Sequence, residues 1–93
     1  MKVERYTLTT DPGHGWLAVP RSRLNALGIL QDISRYSYQK RDYVFLEEDA
    51  DLGRFVHALR ARDIQPEFVE VYADPCPIRT YDRFDPEVDP CSR

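Results

Sequence analysis

Leu52, Phe55, Val56 and Leu59 fall at i, i+3, i+4 and i+7, so a helix here carries an apolar stripe on one side, with Arg54, His57 and Ala61 on the other. A helix this short is held by what its stripe packs against rather than by intrinsic propensity. The rest of the chain must therefore offer a surface with an apolar face. Alternating segments offer one. Residues 3–8 and 67–72 alternate apolar and polar side chains and are rich in residues that suit a pleated surface, which predicts a first and a last strand. Thr9-Thr10-Asp11-Pro12-Gly13 supplies turn chemistry after the first, and Trp16-Leu17-Ala18-Val19 reads as a second strand that buries the single tryptophan.

Pro20 suits a first helical turn and Gly28 the residue just past a helix end, with Leu24 and Leu27 between them on one face, which predicts a helix of about two turns. Residues 33–38 and 42–47 read as a hairpin joined by Gln39-Lys40-Arg41, with Tyr36, Tyr38, Tyr43 and Phe45 as cross-strand neighbours. Asp49 or Asp51 is placed to cap the striped helix. The predicted order is β-β-α-β-β-α-β: one small α+β domain over residues 1–73, with a mostly antiparallel sheet and both helices on one face.

From Asp74 the composition changes. Four of the seven prolines stand in the last twenty residues, and because proline cannot donate to a sheet ladder, residues 74–93 are expected to form an extended, acidic arm. Ile78, Tyr81 and Phe84 would pin its 78–84 stretch to the body, and residues after Asp85 would fray. With 93 residues there is room for one core, and 42% hydrophobic with 31% charged residues is the balance of a chain that folds in water. No apolar run is long enough to cross a bilayer and the start lacks a secretory pattern, so a cytoplasmic location and no membrane partner are expected. Cys76 and Cys91, both in the arm, read as free thiols.

Net charge is −3, concentrated in the arm, which speaks against a phosphate-backbone partner held by counterion release. Three segments are candidates for recognition. Asp11-Pro12-Gly13-His14-Gly15-Trp16 sets an accessible imidazole between glycines; the ordinary alternative is a turn anchored by Trp16. His14 lacks a nucleophile or further ligands at any recognised spacing, so no catalytic residue, no metal and no cofactor is expected. Tyr36, Tyr38, Lys40 and Arg41 make an aromatic and basic hairpin of the kind that stacks bases or docks protein, with cross-strand packing as the alternative. Glu47, Glu48, Asp49 and Asp51 crowd a strand-to-helix junction, where helix capping explains most carboxylates and an acidic patch for a basic partner explains the remainder.

Trp16-Leu17-Ala18-Val19-Pro20, Leu24 and Leu27-Gly28-Ile29, followed by two strands, resemble AbrB-type swapped-hairpin DNA-binding domains over about a third of the chain; the usual Gly-Asp turn is replaced by residues 30–34 and no basic surface accompanies it. Over residues 6–84 the chain is similar to a family of small bacterial proteins often carried on phages and plasmids, through Thr10-Asp11-Pro12-Gly13-His14-Gly15-Trp16-Leu17, Val19-Pro20, Leu27-Gly28-Ile29, Tyr36-Ser37-Tyr38, Leu46-Glu47-Glu48-Asp49 and Ile78-Arg79-Thr80-Tyr81-Asp82-Arg83-Phe84. That resemblance implies a bacterial or mobile-element origin and assigns no functional residue. The expectation is a non-enzymatic module that binds another protein, such as a host or defence protein, with nucleic acid binding or a His14-based enzyme or metal protein as alternatives. A homodimer is left open.

Overall fold

The computed structural model describes residues 2–91. Its six strands are β1 (Lys2–Thr10), β2 (Gly15–Pro20), β3 (Tyr38–Lys40), β4 (Tyr43–Glu47), β5 (Ile64–Tyr72) and β6 (Asp82–Arg83). Helix α1 (Arg21–Ala26) follows β2 and α2 (Leu52–Arg60) follows β4, while Leu30–Asp32 and Pro77–Thr80 each form a turn of 3-10 helix. One mixed sheet results, in the order β5-β1-β2-β4-β3-β6. The fold is α+β, in the expected order, with one further strand from the C-terminal segment. No helix among the described residues is long and apolar enough to cross a membrane.

Four of the five strand pairings are antiparallel; β1 and β5 run parallel through all nine residues of each. The parallel pair follows from α2, which carries the chain from β4 across β2 and β1 to the far edge. A connection through a helix, unlike a short turn, can join parallel strands. In crossing, α2 lays Phe55, Ala58 and Leu59 on the sheet, where they meet Leu17 and Val19 of β2, Val44 and Leu46 of β4, and Leu24 of α1. Those strand residues share a face by register, Leu17 opposite Leu46 and Val19 opposite Val44. Tyr6 of β1 sets its ring edge-on to Phe55 at 5.0 Å. Gly28, at φ 74°, takes the left-handed conformation just past α1 that lets the chain leave the helix.

The other face is closed differently. Trp16 and Tyr38 pack there with Cys76 and Ile78, backed by Phe45, Ala73 and Tyr81, so the C-terminal segment acts as a cover. Phe84 crosses to the helical side and is fully buried. Beyond Asp85, where fraying was expected, Arg21 donates to the carbonyls of Asp85 and Pro86, and the Gln39 side chain to that of Val88. Cys76 is buried, Cys91 exposed, and both are free.

Two local expectations are corrected. The predicted strand over 33–38 is confined to its end, and the hairpin turn moves to Arg41 and Asp42, with Arg41 at φ 55°. Residues 34–37 are instead drawn to Asp51, whose carboxylate accepts from the Ser34 amide at 3.0 Å, the Ser34 hydroxyl at 2.7 Å and the Ser37 hydroxyl. For the same reason Asp51, at the N-terminal boundary of α2, makes no side-chain cap and is no surface acid: it is fully buried.

Candidate functional site

The turn after β1 is tied from three sides. Asp11 accepts the amides of Gly13 at 2.9 Å and His14 at 2.8 Å, its own amide donates to the His14 carbonyl, and Arg79 from the C-terminal cover grips its carboxylate with two nitrogens. The Arg79 guanidinium holds the Asp11 carboxyl well below the usual carboxylate range. Gly15 then lets β2 start hard against Glu48, since a Cβ there would lie 2.9 Å from its carboxylate oxygen. These contacts place the His14 ring beside the sheet face that holds Trp16, 6.0 Å from the indole, with Nδ1 3.9 Å from Glu47 Oε2.

Glu47 stands opposite Trp16 in the β2–β4 register. Its side chain is 10% exposed and, among the described residues, accepts only the amide of Asp49, through both oxygens at 3.0 and 2.9 Å. Trp16 is 2% exposed and its Nε1–H has no partner among the described residues. Trp16 and Glu47, a nearly buried acid with spare acceptor capacity, therefore project from the same side of two paired strands, and the indole carries the cost of an unmade hydrogen bond. Around them lie Tyr38, edge-on to Trp16 at 6.1 Å, and two guanidiniums in cation–π contact, Arg79 at 5.0 Å from the Trp16 ring and Arg83 at 4.6 Å from that of Tyr38. With Tyr36 at the lip, 69% exposed, these residues enclose a cleft of about 240 Å³.

Five of the ten residues singled out in the sequence, His14, Trp16, Tyr36, Tyr38 and Glu47, converge on this cleft. Asp49 lies at its margin, where ligating atoms of His14, Glu47 and Asp49 come within 4.8 Å of one another. Glu48 is exposed beside Gly15. Lys40 and Arg41 sit at the hairpin turn instead, Lys40 with its ammonium 4.6 Å from the Tyr81 ring. Asp51 acts from inside: Ser37, which it holds, accepts the Glu47 amide at 2.9 Å, so one buried acid fixes both the Tyr36 segment and the end of β4.

Arg79 and Arg83 are the residues that reading the sequence missed. The signal was present in the alternation of Ile78, Arg79, Thr80, Tyr81, Asp82, Arg83 and Phe84, where arginines interleave with the apolar pins. A larger depression of about 440 Å³ at Arg21, Asn25, Leu30, Asp42 and Pro86 brings no comparable chemistry together, because its arginine is spent on the Gln39 side chain and on the carbonyls of Asp85 and Pro86. No family model, curated protein or solved structure matches the chain.

Proposed function

We propose that this chain is a non-enzymatic protein-recognition module that receives a partner's side chain or peptide group in the cleft between His14 and Arg83. The observation that carries the reading is the floor of the cleft, where the nearly buried Glu47 carboxylate, bonded by the Asp49 amide and with acceptor capacity to spare, stands opposite Trp16 in register. An occupant that donates, such as a carboxamide or a peptide N–H, meets that carboxylate. The walls are tryptophan, tyrosine and arginine, the residues that dominate binding hot spots. At about 240 Å³ the cleft falls below the roughly 300–1,000 Å³ typical of sites for whole small molecules, which favours an inserted side chain. The similarity to proteins of phages and plasmids adds a bacterial setting, with a host or defence protein as the partner class.

The test uses the single tryptophan as its reporter. Wild-type chain should capture one protein stoichiometrically from bacterial lysate over a range of salt, and adding that protein should shift Trp16 emission. The double substitution Tyr36→Ala with Arg83→Ala should abolish both effects while leaving the circular dichroism unchanged. Recovery of no such protein, or equal capture by the variant, overturns the reading.

A second reading rests on the convergence of His14, Glu47 and Asp49, whose nitrogen and oxygen donors suit a divalent cation such as zinc or manganese. Calorimetric titration with each metal decides it: micromolar binding lost in His14→Ala supports a metal protein, and no heat refutes it.

A further inference from the structure

β5 forms the end of the sheet opposite β6, with β1 on one side and, among the described residues, no strand on the other. Two bonds establish which way its backbone faces. The Ala73 amide donates to Thr10 O at 2.8 Å and the Lys2 amide to Asp63 O at 3.3 Å, so the odd-numbered residues of this strand turn their backbone groups toward β1. Because successive residues alternate, Ile64, Pro66, Phe68, Glu70 and Tyr72 turn theirs toward the open side.

The two halves of that open side differ. In the first half, Pro66 has no N–H to offer, and its carbonyl accepts the Gln65 side-chain amide at 3.3 Å. Such features blunt an edge. The second half has neither device. Phe68, Glu70 and Tyr72 present three amides and three carbonyls without partners among the described residues, and Phe68, Val69, Val71 and Tyr72 are 41 to 64% exposed, two on each face. A long apolar edge left open is a template for another strand.

We infer that residues 68–72 take up an extended segment of a partner protein as a seventh strand, one with a lysine or arginine opposite Glu70 and apolar side chains flanking it. Charge selects this occupant over a second copy of the chain. A two-fold pairing that used all three open amides would centre on Glu70 and set it against its own symmetry mate, and like charges directly opposite are destabilising. Among the described residues Glu70 accepts from the Thr10 hydroxyl at 3.5 Å and forms no ion pair. A basic side chain across the strand pair supplies the missing charge. The edge lies at the other end of the sheet from β6 and from the cleft, so it stands or falls independently of the proposed function.

The probe is a blocked heptapeptide, Thr-Tyr-Val-Lys-Val-Tyr-Thr, titrated into the full, isotope-labelled chain. The amide signals of Phe68, Glu70 and Tyr72 should shift and their hydrogen exchange should slow by about tenfold or more as the edge gains partners. The same peptide with glutamate for lysine should bind about two- to fivefold more weakly. Glu70→Pro, which extends the device already present at Pro66, should weaken binding by about tenfold or more. Should that variant unfold, Val69→Lys with Val71→Lys serves instead, with the same expected loss. No shift at millimolar peptide, shifts confined to the cleft, or equal binding to the variants would overturn the inference. So would sedimentation showing a wild-type dimer that Glu70→Pro dissolves, since the occupant would then be a second copy.

Discussion

The two faces of the sheet are closed by different chemistry. At the centre of the helical face the contacts are apolar: Phe55 and Leu59 of α2 press on Leu17, Val19, Val44 and Leu46, all fully buried. On the other face the C-terminal segment contributes Cys76 and Ile78 but also two guanidiniums, and beneath them lie an indole N–H without a partner and an acid with one. The first arrangement maximises apolar burial. The second leaves the buried indole N–H without a partner among the described residues, at a cost to stability. The first face is closed by apolar packing alone at its centre, while the second is the one on which the proposed function rests.

The largest expected effect tests the first half of that contrast. Phe55→Ala should lower the unfolding free energy by about 3–5 kcal/mol, because the cavity opens among residues that cannot collapse into it. Ile78→Ala, on the other face, should cost near the bottom of the roughly 2–5 kcal/mol range for such a truncation. Urea unfolding compares the two, and equal losses would remove the distinction between the faces.

Next in size comes a comparison of two buried acids four residues apart. Asp51 accepts from Ser34 twice and from Ser37, so Asp51→Ala strands three donors and should cost about 3 kcal/mol or more. Glu47→Gln keeps an acceptor for the Asp49 amide and should cost under about 1 kcal/mol, yet it should abolish partner capture if the cleft floor is the binding determinant. A Glu47 variant as destabilised as the Asp51 one would make Glu47 structural.

How far these features were readable before folding depends on their range. The α2 stripe was legible because its partners repeat every three or four residues, and Trp16-Leu17-Ala18-Val19 because a strand covered on both faces is apolar throughout. The parallel pairing of β1 and β5 was not, since it follows from where α2 crosses rather than from either strand. The Ser34, Ser37 and Asp51 network was hidden for a related reason: hydroxyl and carboxylate residues there suit caps and turns equally well, and which they serve depends on contacts 14 and 17 positions away. Five of the seven residues lining the cleft were found, as His14, Trp16, Tyr36, Tyr38 and Glu47. Arg79 and Arg83 escaped because proline content pointed to an extended arm, whereas in the fold the prolines flank a short 3-10 turn that docks Ile78.

The smallest effect expected is also the most diagnostic, because the two faces should loosen at opposite ends of the pH scale. On the helical face Tyr6 is pushed up to about 12 by burial and by its hydrogen bond to Glu4, which Arg23 holds in turn. The fold favours the neutral phenol, so its contribution is complete below the ordinary tyrosine value near 10 and is lost as pH rises through about 12. At the turn under the C-terminal cover the sign reverses. The Arg79 guanidinium depresses the Asp11 carboxyl, so the fold favours the ionised acid; that contribution is present above the ordinary value near 3.9 and is lost as pH falls through the lowered one. Acid should therefore release Arg79 and the His14 turn, read as faster acrylamide quenching of Trp16, before the helical face melts. Alkali should melt the helical face with no such prelude. In Asp11→Asn the quenching should already be raised at neutral pH and should change little with acid. If instead the variant follows the wild-type acid profile, the Asp11–Arg79 grip does not hold the cleft, and the contrast between the faces rests on apolar packing alone.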